Sequence, residues 1–402
     1  MFNPLEHEGI PVADQLRSWS ELNVQPYDKR SIHPYSRSRI ILMNGVEVES
    51  ILFSHQFARH TDTPEIRQAL ALSRRIESQQ QKAINWLSPG DETPLETTIG
   101  YEQVAIDLTA WLARNEPDPY IKQVFDFGLL EDFDHLYRYA NLYELINGEQ
   151  AEDLTQRLTE ILPGRPTAVE HRHPTDDIRR HYDRHTVDPL SRLHVLTLLA
   201  GEQQTMNFYM NHGPDFMEPV ARGLYLEIAT IEEQHVTQYE SLLDPLESWL
   251  EQLVYHEYNE CYLYHSFMSE ETDERLRQLW ELHLDMEIGQ LQAACSLLRK
   301  FEGVEPEEIL PAALPTPVSF QQNVEYVRQV LATQVDLRAA GVDIVDAADE
   351  PGTSTSYRER VNAGGNPSEE VVEENRSTTG REYRSSLAGE HPVVDLREQT
   401  VS

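Results

Sequence analysis

Residues 224–243, LYLEIATIEEQHVTQYESLL, decide how the rest of this sequence is interpreted. Apolar side chains recur there at steps of three and four residues, a spacing that predicts an amphipathic helix. Glu232 and His235 fall on its apolar face. A carboxylate and an imidazole directed at a protein core are costly unless something satisfies them, and a shared metal ion would satisfy both. The stretch therefore indicates a metal site on a buried helix face.

A second copy of this pattern lies upstream, and in both copies an acid precedes the pair by 30 residues. With a rise of about 1.5 Å per residue, 30 residues allow about fifteen out and fifteen back, so the paired positions lie at similar depth in an antiparallel hairpin. Two such hairpins offer four carboxylates and two imidazoles, the ligand set of a dinuclear carboxylate site. The candidate metal ligands are Glu102, Asp132, His135, Glu202, Glu232 and His235. The alternative is that the two histidines are core residues with ordinary polar partners.

The hydrophobic pattern predicts about eight long helices between residues 40 and 301 and no convincing strand, which indicates an all-α fold. The proline-rich segment 163–189 is too irregular for one element and is interpreted as a connection between helix pairs. The predicted organisation is an irregular arm (1–40), a helical domain (41–301) with halves 41–146 and 190–301 joined by a crossover (147–189), a linker with a short helix (302–345) and a disordered acidic tail (346–402).

Composition excludes several kinds of partner. A net charge of −36 argues against binding nucleic acid or anionic lipid through a basic face. The two cysteines, Cys261 and Cys295, are too few for a disulfide framework or an iron–sulfur cluster. No basic leader followed by an apolar run is present, and no apolar stretch approaches about 18 residues. These features predict a cytoplasmic protein that does not span a membrane.

An internal repeat leaves the assignment of hairpins open. Shifting the chain by 155 residues superposes Glu47 on Glu202, Glu77 on Glu232 and Glu102 on Glu257, which resembles a duplicated four-helix unit. In one architecture the third to sixth helices form a complete central site, and the outer hairpins are flanking helices. In the other, two successive bundles form, each with one histidine and one glutamine. The first is preferred because it completes the set of six ligands.

The paired Glu and acid-x-x-His hairpins resemble the ferritin-like superfamily, and the resemblance covers roughly residues 40–300. It implies a four-helix bundle with additional flanking helices, and it implies the six residues above as ligands of two iron or manganese ions. Asp132 departs from the family, because a glutamate is usual at that position. No rubredoxin-like four-cysteine module is present.

The implied function is a non-haem dinuclear oxidoreductase that acts on O₂ or peroxide. Tyr139 and Tyr239, each four residues after a histidine, are the candidate catalytic tyrosines. The alternative function is a non-catalytic helical scaffold or cargo protein with a degenerate core, whose tail binds a protein partner. Formation of a homo-oligomer is left open.

Overall fold

Helices make up nearly all of the regular structure of residues 2–397, the part of the chain that the computed structural model describes. The long helices are α1 (Pro34–His60), α2 (Pro64–Asn85), α3 (Pro94–Asn115), α4 (Pro119–Asn147), α5 (Pro189–His212), α6 (Pro219–Glu240), α7 (Trp249–Glu270) and α8 (Glu274–Glu302). Three shorter helices follow, α9 (Val324–Gln334), α10 (Gly352–Val361) and α11 (Pro367–Thr379). The expected helical class is confirmed. Among the helices of residues 2–397, none has the length and apolar character needed to cross a membrane.

The remaining elements are short. Single helical turns occur at Trp19–Leu22, Glu152–Thr155 and Thr167–Glu170, and seven three-residue 3-10 turns lie between Pro4 and Leu396 in the described chain. One antiparallel hairpin, β1 (Leu337–Ala340) and β2 (Asp343–Asp346), pairs Leu337 with Asp346 and Ala340 with Asp343. The expectation that no strand occurs is wrong at this hairpin. Its strands of four residues are too short to show an alternating pattern in the sequence.

Local sequence sets the helix ends. Proline is the first residue of α1 to α6, where its fixed φ favours the first turn and its missing N–H is not needed. Thr93 caps α3 together with Glu96, because each side chain bonds the other residue's backbone N–H. Gly148 and Gly303 end α4 and α8 at φ of 69° and 71°, in the left-handed region that favours glycine.

The chain divides into two units whose segments alternate along the sequence. The first unit takes in the chain up to Asp91, Tyr182–Gly201 and Leu243–Ser319, and so contains α1, α2, α7 and α8. The second takes in Glu92–His181, Glu202–Leu242 and the chain from Phe320 onward, and so contains α3, α4, α6 and the second half of α5. The hairpin of α1 and α2 and the hairpin of α7 and α8 belong to the same unit.

The N-terminal arm packs on α8 within the first unit. Ile10 N–H donates to the carbonyl of Asp285, and Gln15 Nε2 donates to the carbonyl of Met286, both at 2.8 Å. Gly289 allows this close approach, because a Cβ atom there would lie 1.9 Å from the Ile10 carbonyl oxygen. The arm ends before residue 40, since Pro34 already begins α1.

The C-terminal segment differs from the expected disordered tail. It contains α10 and α11, and α11 packs within the second unit. Val371 of α11 is fully buried, and Ser368 N–H donates to Glu227 Oε2 at 2.6 Å. Asn375 Nδ2 donates to Asn141 Oδ1 at 3.1 Å. The low apolar content was misleading because the few apolar side chains, such as Val371 and Tyr383, are buried in the core and polar contacts add to them.

Candidate metal centre

The second unit brings all six predicted ligands into one buried cluster. α3 supplies Glu102, α4 supplies Asp132 and His135, the second half of α5 supplies Glu202, and α6 supplies Glu232 and His235. Every one of these side chains is at most 3% exposed. We call this set of six the acid–histidine cluster. Burying four carboxylates and two imidazoles together requires charge compensation, by protons or by cations.

Within the cluster, the ligand atoms form two groups that share one residue. Asp132, Glu202, Glu232 and His235 each place one such atom within 4.8 Å of the others, and Glu102, His135 and Glu232 do the same. Glu232 therefore belongs to both groups. A carboxylate shared by two ligand groups is suited to bridging two ions.

Both imidazoles present Nδ1 to the cluster. His135 Nδ1 lies 3.1 Å from Glu232 Oε1. His235 Nδ1 lies 3.3 Å from Asp132 Oδ1, 3.6 Å from Glu202 Oε2 and 3.3 Å from Glu232 Oε2. Ligand atoms about 2.1 Å from one ion, at ordinary coordination angles, are separated by about 3.0 to 3.4 Å. The spacing around each imidazole therefore fits atoms that converge on a common ion.

Several of these atoms have no hydrogen-bond partner among the described residues. They are Glu102 Oε2, both Asp132 oxygens, Glu202 Oε2, Glu232 Oε2 and His235 Nδ1. Buried polar atoms without partners are rare in folded proteins. Here they lie together on the inward side of the cluster, so the residues present fit a bound metal.

The opposite ring nitrogens are held by two further glutamates. His135 Nε2 lies 2.9 Å from Glu170 Oε2, and His235 Nε2 lies 2.8 Å from Glu131 Oε2. This contact fixes the ring, and in a metal-bound histidine such a carboxylate keeps the proton on Nε2, so that Nδ1 can bind the ion. Neither Glu131 nor Glu170 was predicted as part of the site.

Glu131 is held as a carboxylate by two buried arginines. Its Oε1 lies 2.8 Å from Arg172 Nη1 and 3.0 Å from Arg165 Nη1. Burial alone would raise the pKa of Glu131, but the two guanidiniums and the contact with His235 hold it well below its usual range. Glu131 therefore remains ionised behind His235.

The proline-rich connection carries Glu170, Arg165 and Arg172 to α4. Asp134 of α4 accepts hydrogen bonds from Gly164 N–H at 2.9 Å and from Thr167 N–H at 2.8 Å. A Cβ atom at Gly164 would lie 2.4 Å from the Leu130 carbonyl oxygen, so only glycine fits there without a shift. The connection is thus part of the site, which its irregular sequence did not indicate.

The acid-x-x-His motif at Glu170 and His173 was one available signal for this role. Thr167–Glu170 forms one helical turn, so Glu170 ends a helical turn although the surrounding segment is irregular. For Glu131 the only signal was its position beside Asp132, on a different side of the helix.

The tyrosines surround the cluster at different distances. Tyr139 and Tyr239 are fully buried, and neither hydroxyl has a hydrogen-bond partner among the described residues. The Tyr239 ring centre lies 6.4 Å from that of His235. Tyr209 makes the direct contact, because its hydroxyl donates to Glu102 Oε1 at 2.5 Å. Its position seven residues after Glu202, on the same face of α5, was the signal that could have identified it.

An apolar cavity of about 570 Å³ reaches Tyr209 from outside the cluster. Met210, Tyr225, Leu226 and Ala229 line it together with Tyr209. Tyr209 therefore lies between this cavity and Glu102, where it can separate an approaching molecule from the carboxylates.

The fold and the site define a mostly helical protein with buried acid and histidine groups that could bind metal. Comparison with protein-family models, with curated proteins and with solved structures finds no match. The chemistry of the site is therefore inferred from its own residues.

Proposed function

We propose that this chain is a ferritin-like, non-haem dinuclear iron or manganese oxidoreductase that acts on O₂ or peroxide. The observation that carries the proposal is the sharing of Glu232 between two ligand groups, each of which includes a histidine. Four carboxylates suit hard cations, and two imidazoles suit iron or manganese better than calcium or magnesium.

Each ligand residue has a role that its position supports. Glu232 would bridge the ions, Asp132 and Glu202 would complete the group of His235, and Glu102 that of His135. Asp132 belongs to only one group, which agrees with its short side chain. When bound, the two metal ions would supply redox cycling between the +2 and +3 states.

Residues around the ligands would orient the imidazole rings, hold protons by hydrogen bonds and control the access of small molecules to the cluster. Glu131 and Glu170 keep the two rings oriented, so that Nδ1 points inward. Tyr209 donates a proton to Glu102 in a hydrogen bond and borders the apolar cavity. A small uncharged molecule such as O₂ or hydrogen peroxide could approach along that cavity.

The main reason for the scaffold alternative no longer applies. It rested on a disordered acidic tail, whereas α10 and α11 occupy much of that segment. No second candidate function is therefore advanced.

Replacing both histidines with alanine tests the proposal. We expect His135→Ala/His235→Ala protein to retain less than about 0.3 equivalents of iron after reconstitution with iron alone, against about 2 for the unchanged chain. O₂ or peroxide consumption should fall at least about 100-fold with the metal. Metal analysis and an oxygen electrode measure the two quantities.

His55 provides the control, because it is exposed and lies outside the cluster. His55→Ala should leave metal content and turnover unchanged. Equal metal content and equal turnover in the double variant and the unchanged chain would overturn the proposal.

A further inference from the structure

The first unit contains a second buried group of acids that the proposed function does not use. Glu47 of α1, Glu77 of α2, Glu260 of α7 and Glu287 of α8 each place one oxygen within 4.8 Å of the others. All four are at most 1% exposed. We call them the carboxylate cluster, and it shares no residue with the acid–histidine cluster.

Unlike Glu131 and Glu271, these four buried acids have no ion-pair partner among the described residues. Glu131 has Arg165 and Arg172, and Glu271 has Arg39 at 3.2 Å. Within residues 2–397, no arginine, lysine or histidine forms an ion pair with Glu47, Glu77, Glu260 or Glu287. Arg17 acts on Glu47 and Glu287, and His256 acts on Glu77, through electrostatic interaction without a direct ion pair.

Unpartnered oxygens point to a ligand in the same place. Both oxygens of Glu77, both oxygens of Glu260 and Oε2 of Glu47 lack hydrogen-bond partners, although the side chains are almost fully buried. Glu257, one turn before Glu260 on α7, also has an unpartnered oxygen, and its carboxyl interacts electrostatically with Glu77 and Glu287. Leaving this many buried acceptors unsatisfied would be costly.

The repeat explains why this cluster differs from the acid–histidine cluster. The shift of 155 residues superposes Gln80 on His235 and His135 on Gln290. Gln80 Nε2 donates to Glu287 Oε1, and Gln290 Nε2 donates to Gln80 Oε1 at 3.2 Å. The amides therefore act as donors that orient the acids, and the inward-facing atoms are all oxygens.

We propose that the carboxylate cluster binds one hard divalent cation, of the Mg²⁺, Ca²⁺ or Mn²⁺ class, as a structural site. Oxygen-only donor sets select such cations, whereas the loss of both imidazoles removes the donors that favour redox iron. One divalent cation would satisfy the unpartnered oxygens and offset much of the charge of the four acids. It would join all four long helices of this unit at one point.

Mn²⁺ alone is the probe for the test, and His135→Ala/His235→Ala protein is the background that weakens the other site. We expect the chelator-treated background protein to bind about one Mn²⁺ per chain, with displacement by excess Ca²⁺ or Mg²⁺. Adding Glu77→Gln and Glu260→Gln should reduce binding to less than about 0.2 per chain, because two of the four donors are neutralised. Equilibrium dialysis followed by metal analysis measures the stoichiometry.

Thermal unfolding gives a second readout. Mn²⁺ should raise the melting temperature of the background protein and have no effect after Glu77→Gln and Glu260→Gln. Glu281→Gln is the control, since Glu281 is an exposed acid on α8. Glu77→Gln and Glu260→Gln keep the side-chain volume and remove buried charge, so the protein that carries both is expected to fold.

Two results would overturn the inference. One is the absence of bound Mn²⁺ in the background protein, which would mean that the cluster holds protons only. The other is bound Mn²⁺ that Glu77→Gln and Glu260→Gln leave unchanged. Neither result bears on the dinuclear site, because that site is tested by iron content and by O₂ or peroxide turnover in protein with both histidines.

Discussion

Replacing Glu232 with glutamine is expected to abolish the binding of both ions of the acid–histidine cluster. Glu232 contributes to the group of His135 and to that of His235, and its oxygens lie 3.1 Å and 3.3 Å from the two Nδ1 atoms. A neutral amide is a much weaker ligand for a hard cation than a carboxylate. After reconstitution with iron alone, iron content should therefore fall from about 2 equivalents to less than about 0.3.

The comparison with Glu102 makes this prediction specific. Glu102 belongs to only one group, so Glu102→Gln should leave about one equivalent bound. Glu233 is the matched control, because it is the exposed neighbour of Glu232 on the same helix turn. Glu233→Gln should bind as the unchanged chain does. Equal losses in the Glu102 and Glu232 variants would contradict the bridging role of Glu232.

Replacing Glu131 with glutamine is expected to destabilise the protein by about 3–5 kcal/mol, the usual cost of breaking a buried ion pair from one side. The fully buried Arg165 would lose its acidic partner, while Arg172 would keep only Asp177. His235 would also lose the carboxylate that holds its Nε2. We expect weaker metal binding together with the loss of stability, by about 10- to 100-fold in affinity.

Chemical denaturation of metal-free protein measures the first effect without interference from the second. Glu325→Gln is the control, since Glu325 is an exposed acid of α9 in the same unit, and it should change the free energy of unfolding by less than about 0.5 kcal/mol. A Glu131→Gln protein as stable as this control would show that the arginines do not depend on Glu131.

Much of the candidate site could be predicted because the residues of the acid–histidine cluster follow the helical repeat. Glu232 and His235 are three residues apart, so they share a helix face, and the spacing of 30 to Glu202 places all three at one depth of a hairpin. The same reasoning identified Glu102, Asp132 and His135. Their convergence depends on local rules of helix geometry that a sequence carries directly.

The residues behind the histidines could not be predicted in this way. Glu170 lies in a connection whose path is set by contacts with α4, including Gly164 and Thr167 on Asp134. Such contacts join positions about 30 residues apart without any periodic pattern. The tail was misjudged for a similar reason, because Ser368 and Asn375 anchor it by contacts that have no periodic pattern, beside a few buried apolar side chains such as Val371.

The repeat was visible in the sequence, but it did not show which hairpins belong to the same unit. In the structure, the hairpin of α1 and α2 shares a unit with the hairpin of α7 and α8. A spacing of 30 residues within each hairpin fits this arrangement and two successive bundles equally well. The structure assigns both histidines to one unit and both corresponding glutamines to the other. This separation places two clusters with different side chains at positions that the shift of 155 residues relates.

Anomalous diffraction from crystals of the iron- or manganese-reconstituted protein tests the central claim most directly. Our account predicts two peaks in the second unit, one at Nδ1 of His135 and one at Nδ1 of His235, with a Glu232 oxygen bound to each. A single peak, or two peaks that Glu232 does not join, would contradict a dinuclear centre bridged by Glu232.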